Sequence, residues 1–237
     1  MSTDVTADDH HAHHSETAER YLEAIYYIEH EGEVPRPGRL AEWLGVSAPT
    51  VTVSLQRLSR DGLIRIADDR SVELTDAGAE AAATIVRRHR IVERWLTDVL
   101  GLDWAAADLE AQTLAHGMSA TVLDRLDQQL GHPSTCPHGN VIPGRNPPAG
   151  RRLMRLVDLA DGESARVARI SEVAEHEAPQ LLRILDQRGI VPGIEVCVVA
   201  RASAGWTLRA GANDAMTVDS GTARAVWVEA PQVVSLG

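Results

Sequence analysis

The residues with the clearest chemistry lie in residues 39–75, RLAEWLGVSAPTVTVSLQRLSRDGLIRIADDRSVELT. Val51, Leu55 and Leu58 recur at spacings of four and three and mark the inward face of a helix. The opposite face carries Thr50, Thr52, Val53, Ser54, Arg57 and Arg60. Small hydroxyls bond phosphate oxygens, and arginines reach phosphate or the guanine edge. The chemistry such a face offers is contact with duplex DNA. A second set is imidazole and carboxylate. His89 and Glu93 stand four apart, on one helix face, which by itself is also the spacing of a helix-surface pair. Asp108, Glu110, Gln112 and His116 follow in the next helical run. Cys136 and His138 are two apart without a clear second pair, so a zinc knuckle is not expected. His10, His11, His13 and His14 cluster in a polar opening stretch, where a histidine tract can bind metal without any fold. There is no nucleophile–base pairing, no phosphate loop and no HExxH, so the chain does not read as an enzyme.

The elements that must position these residues can be read in order. Residues 1–14 are a flexible His-rich tail. Tyr21, Leu22, Ile25, Tyr26 and Ile28 form the apolar stripe of a first helix, ending near Gly32. A short helix with Leu40, Ala41 and Leu44 stops at Gly45. Ser47 sits where an N-cap belongs, Ala48 and Pro49 open the next helix, and Asp61-Gly62 ends it. Two short apolar runs, LIRI and SVEL, flank residues 67–70 as a hairpin. Helix, turn, helix, hairpin is a winged helix-turn-helix, whose second helix enters the major groove while the hairpin lies along the backbone. Thr75 then caps a long helix to about Leu100, a second starts at Asp103 or Trp104, and a third runs from Met118 to Leu130. Residues 132–152 are rich in proline and read as a linker. Beyond them, ESARVARI, IEVCVVA, GWTLRA, AMTVDS and RAVWVEA read as short strands, with a helix-like APQLLRILDQRG between the first two. The expected fold is α+β. It comprises a winged helix-turn-helix (15–75), an all-α dimerisation domain (76–131) and a small SH3-like β-barrel (153–237).

Composition excludes several classes. No apolar run approaches the length of a membrane span, and no signal peptide opens the chain. The two cysteines lie far apart, which gives no disulfide framework. A cytoplasmic protein is expected. The net charge of −11 argues against indiscriminate nucleic-acid binding, but a global sum does not decide a local face. Between Arg36 and Arg70 there are six arginines against four acids, and all 23 basic residues of the chain are arginine. Arginine gives planar, bidentate contact with phosphate and guanine.

At this point the chain resembles the diphtheria-toxin-repressor family of iron- and manganese-dependent repressors. The resemblance rests on YLEAIYYIEHEG, LAEWLGVSAPTVTVSLQRLSRDGLI, DRSVELTDAG, RRHRIVERWLTDVLGLD, AHGMS and CPHGNVIPG, and covers roughly residues 15–237. It implies a homodimer that binds a palindromic double-stranded DNA operator when loaded with Fe²⁺ or Mn²⁺; Co²⁺, Ni²⁺ or Zn²⁺ would substitute in vitro. The family's DNA contacts fall on Ser47, Pro49, Thr50, Thr52, Ser54, Arg57 and Arg60, with Arg70 of the hairpin reaching phosphate or the minor groove. Val53 stands where some members carry a base-contacting glutamine. An apolar side chain there can touch a thymine methyl but cannot hydrogen-bond. The family's ancillary metal site maps onto His89, Glu93, Asp108, Glu177 and Gln180, a ligand set suited to Mn²⁺, Fe²⁺ or Co²⁺.

The family's primary metal site does not carry over intact. Its positions hold Arg20, Gln112, Ala115 and His116, of which only His116 is an ordinary transition-metal ligand; manganese-type members would add Glu23 and His89. A guanidinium ~4 Å from a divalent ion costs about 2 kcal/mol in water and about 8 at an effective dielectric of 20. Arg20 is therefore expected to act as a built-in cation, paired with Glu19, Glu23 or Glu110, or else to snorkel to solvent. Two functions follow. One is a metal-responsive repressor of iron or manganese homeostasis. The other is a regulator of the same fold that has lost metal response and binds DNA constitutively or through a protein partner.

Overall fold

The computed structural model describes residues 14–147, 151–178, 180–203 and 205–230. The histidines at 10, 11 and 13 and Pro148 fall outside these residues.

The N-terminal unit is built from α1 (Glu16–His30), α2 (Pro37–Leu44), α3 (Ala48–Arg60) and a hairpin of β1 (Ile64–Ile66) and β2 (Val72–Leu74). Local chemistry sets its boundaries. The Ser15 and Ser47 side chains accept from Ala18 and Thr50 backbone N–H groups and so start α1 and α3. Gly45 ends α2 in the left-handed region at φ 63°. Leu22, Ile25, Ile28, Leu40, Val51, Leu55 and Leu58 close over one another as a single apolar core. This is the winged helix-turn-helix that the periodicity predicts.

The middle unit holds α4 (Asp76–Asp98), α5 (Trp104–His116) and α6 (Ala120–Gln129). Thr75 and Asp103 cap α4 and α5 through their side chains. Val92 and Leu96 of α4 pack on Ala107, Ala111 and Ala115 of α5. The small alanines let the two helices approach closely.

The C-terminal unit is a six-stranded antiparallel sheet in the order β3-β8-β4-β5-β6-β7. Its elements are β3 (Leu153–Arg155), β4 (Ser164–Ile170), α7 (Glu172–Glu177), α8 (Gln180–Gln187), β5 (Glu195–Ala202), β6 (Gly205–Ala210), β7 (Met216–Val218), α9 (Ser220–Ala225) and β8 (Val226–Glu229). The sequence pattern misses β3, α7 and α9, each six residues or fewer and too short to show a period.

The proline-rich segment is not a free linker. Cys136, His138, Asn140 and Ile142 are all buried, and Thr135 bridges Val141. Asn140 Nδ2 donates to the Ile170 carbonyl, and the Ile170 N–H donates to the His138 carbonyl, so the segment is stitched to β4. Gly139 makes this possible. Its φ is +87°, and a Cβ there would stand 2.2 Å from the Ala168 carbonyl oxygen. The C-terminal unit is docked on the other two: Val173 of α7 enters the N-terminal core and Trp104 of α5 enters the C-terminal one. Among the described residues no helix is long and apolar enough to cross a membrane.

Candidate metal centre and nucleic-acid interface

A cavity of about 480 Å³ lies where α1, α4, α5, the 134–142 segment and α7 converge. Helix α4 supplies His89 and Glu93, one turn apart and both buried. His89 Nε2 lies 3.5 Å from Asp108 of α5, and its Nδ1 lies 3.7 Å from Glu23 of α1. Gln112 donates to Asp108 at 3.2 Å, and the Tyr27 hydroxyl donates to Glu23 at 3.0 Å, which orients both carboxylates. On the other side of Glu93, His138 Nδ1 lies 3.0 Å away, and Glu175 of α7 lies 3.5 Å from the same nitrogen. The donor atoms of Glu93, Cys136 and His138 fall within 4.8 Å of one another, as do those of His89, Glu93 and Asp108. Glu93 belongs to both sets.

The electrostatics are those of a site that needs a cation. Burial pushes Glu93 upward, but the His138 imidazolium, its hydrogen bond and His89 overcome this and hold the carboxyl at about 2. Burial pulls His89 down, but bonding to Asp108 and the charges of Glu23 and Glu93 raise it to about 9. Burial raises Glu175 to about 8 and Cys136 to about 11. Protons thus balance the carboxylates. His138 Nε2 and Glu175 Oε1 are buried without a hydrogen-bond partner among the described residues. Orphaned buried donors of two ligand types, beside a thiol and a shared carboxylate, fit a divalent transition ion.

Several expected site residues lie elsewhere. Glu177 points away from the cavity, half exposed, and pairs with Arg39 of α2 at 2.7 Å. Gln180 is exposed at the start of α8. The reason is the rotation of α7. Ser171 caps it, so Glu172 and Glu175, three apart, share the inward face and Glu177 falls outside it. Glu175 meets His138, and Glu172 takes the buried guanidinium of Arg90. Cys136 and His138, set aside for want of a second pair, find their partners on α4 and α7 instead. A Glu-x-x-Glu pair after a capping serine was the available signal for α7. His116 does not join the metal cluster; its Nδ1 lies 2.7 Å from Glu19. Arg20 is exposed, and the guanidinium that reaches Glu19 is that of Arg88, at 2.5 Å.

The nucleic-acid face is solvent-open. Ser47, Pro49, Thr50, Thr52, Arg57, Arg60 and Arg70 are exposed, and Ser54 is half buried. Val53 is 67% exposed, a large apolar side chain among hydroxyls and arginines. Arg70 sits at the hairpin tip with φ 68°, a left-handed turn held by Asp69, which accepts from the Ser71 N–H at 3.0 Å and its hydroxyl at 2.7 Å.

A winged helix-turn-helix joined to helices and a buried loop that together gather His, Cys and carboxylate side chains defines a metal-linked DNA-binding regulator. Family models agree along the chain. Residues 13–72 match the iron dependent repressor N-terminal DNA binding domain, 75–144 its metal binding and dimerisation domain, and 154–230 the FeoA domain. The iron-dependent repressor IdeR of Mycobacterium tuberculosis is 38% identical over 224 residues, 90% of this chain and 97% of that protein. The diphtheria toxin repressor of Corynebacterium diphtheriae is 39% identical over 194 residues, 78% of this chain and 85% of that protein. A solved manganese-dependent transcriptional repressor in complex with manganese is 36% identical with a TM-score of 0.75, covering 90% of this chain and 99% of that one. The chain belongs to the iron-dependent repressor family, whose members are transcriptional repressors and not enzymes.

Proposed function

We propose that this chain is a cytoplasmic, metal-responsive repressor of iron or manganese homeostasis, acting as a homodimer on a palindromic operator. Ser47, Pro49, Thr50, Thr52, Ser54, Arg57 and Arg60 of the recognition helix and its cap contact the operator, and Arg70 of the wing contacts phosphate or the minor groove. Mn²⁺ or Fe²⁺ is held by Glu93, Cys136, His138 and Glu175, with His89 and Asp108 beside them. The ion supplies positive charge among these carboxylates in place of protons. The observation that carries this reading is the pair of orphaned donors, His138 Nε2 and Glu175 Oε1, buried beside Glu93.

The coupling route is short. Helix α7 offers Glu175 to the cluster from one face, while its next residue, His176, stacks on Trp43 of α2 at 4.0 Å and reaches the Trp43 carbonyl at 2.6 Å. With the cluster loaded, Glu175 would hold α7 and His176 would carry that placement to Trp43, favouring one of two arrangements of the helix-turn-helix. The test is operator binding by fluorescence anisotropy, with chelator-stripped protein and then Mn²⁺ or anaerobic Fe²⁺, at fixed salt. A rise of at least tenfold, about 1.4 kcal/mol of coupling, is expected. Equal affinity with and without metal would leave a DNA-binding regulator that no longer reads metal.

A further inference from the structure

A second charge cluster joins the DNA-binding unit to the dimerisation helices without using the metal cluster's residues. Glu19, in the first turn of α1, is buried to 7% exposure. Its Oε2 accepts from Arg88 of α4 at 2.5 Å and lies 2.7 Å from His116 Nδ1 at the end of α5. Arg88 is itself buried, at 9% exposure. Three helices from two units thus meet on one carboxylate oxygen. The group that satisfies Glu19 is the Arg88 guanidinium, held against it by a direct hydrogen bond. The same cavity wall carries Arg20, Gln112, Thr113 and Ala115, and on α1 the carboxylates of Glu16 and Glu23, one turn to either side of Glu19. Arg88 precedes His89 on α4, so the cluster and the metal centre share one helix on adjoining faces.

We propose that Arg88 and Glu19 are positioning residues. Together with His116 they form a metal-independent strut that fixes the start of α1 on α4 and α5, so the ion count per chain is set by the Glu93 cluster alone. The inference rests on the proposed metal-responsive DNA binding only in its affinity arm. The strut holds whether or not metal is loaded. The first helix is seated before any ion would bind, and the Arg88 guanidinium on Glu19 opposes a second ion at Glu19 and His116.

The test uses the full chain and the variants Glu19→Gln, Arg88→Met, Arg88→Lys and His116→Ala, with Mn²⁺ as the probe. Hydrogen exchange in the stripped protein is expected to show faster opening of the first turns of α1 in E19Q and R88M, with Arg88→Lys close to wild type. Manganese stoichiometry by calorimetry is expected to be the same in wild type, E19Q and H116A. Operator affinity of the manganese-loaded protein is expected to drop about tenfold in E19Q and R88M. The exchanged pair, Glu19→Arg with Arg88→Glu, is expected to recover part of that loss, which a misfolded variant would not. Unchanged exchange in α1, or loss of one bound ion in E19Q or H116A, would overturn the strut. A wild type that ignores metal while α1 still opens in E19Q would overturn the proposed function and leave the strut standing.

Discussion

At the scale of single residues, the proposed metal centre would depend on Cys136 and Glu175. Burial and the Glu93 charge raise the Cys136 thiol to about 11, yet a thiol ligates only as thiolate. Each ion bound should therefore release at least one proton, and affinity should rise with pH. Calorimetry in two buffers of different ionisation enthalpy counts the protons. Cys136→Ser should weaken binding at least about tenfold and remove only the thiol's share of that release, because the His138 imidazolium and the Glu175 carboxyl, raised to about 8, also give up protons on ligation. The paired comparison is Glu175→Gln against Glu177→Gln. The first should lower manganese affinity by a similar factor, and the second should leave it unchanged, because Glu177 is engaged with Arg39 outside the cavity. Equal effects would mean that α7 is rotated relative to the described arrangement.

Two short elements carry constraints out of proportion to their length. The Cys136–Gly139 turn brings a thiol and an imidazole to α4 only because Gly139 accepts φ +87° and leaves room for the Ala168 carbonyl. Gly139→Ala should cost about 1–3 kcal/mol, more if β4 cannot shift, seen as a lower urea midpoint with unchanged slope. Helix α7 faces two ways, with Glu175 against His138 and His176 on Trp43. His176→Ala should leave manganese affinity near wild type but reduce the gain in operator affinity on adding metal. If the gain is unaffected, the signal does not pass through this helix.

Part-buried ion pairs join the C-terminal unit to α1 beside the apolar contacts of Val173 and Trp104. Glu31, at the end of α1, is bonded by Arg169 and Arg155 of the C-terminal unit and by the Trp227 indole at 3.3 Å. Both guanidiniums lie over the Trp227 ring, at 3.7 Å and 4.6 Å from its centroid. Burial pushes the Glu31 carboxyl upward, but the two arginines prevail and hold it below the ordinary carboxylate range. Burial, joined by repulsion from Arg169, pulls Arg155 below its usual value despite Glu31. A depressed carboxyl contributes stability that is full above its unfolded value and lost as pH falls through the folded one. Glu31→Gln at neutral pH should cost about 1–3 kcal/mol of docking, less than loss of one partner from a fully buried pair because both arginines keep contact with solvent. Small-angle scattering should then show a larger radius of gyration; an unchanged radius would mean that Val173 and Trp104 suffice to hold the domain.

By itself the sequence determined the winged helix-turn-helix, the three following helices and the exposed hydroxyl and arginine face. These follow from short-range rules: side-chain caps at Ser15, Ser47, Thr75 and Asp103, and apolar residues at helical spacing. It also placed His89 and Glu93 on one face, because one helix does that. Only the tertiary structure decided which residues complete each cluster. Glu19 and Arg88 are 69 residues apart and Glu19 and His116 97. Nothing local to Cys136 or His138 points to Glu93 or Glu175. Whether Glu175 or Glu177 faces the cavity depends on the rotation of a six-residue helix, set by Val173 entering a core formed by another part of the chain. Period and capping are properties of neighbours along the chain, whereas a binding site is a property of neighbours in space.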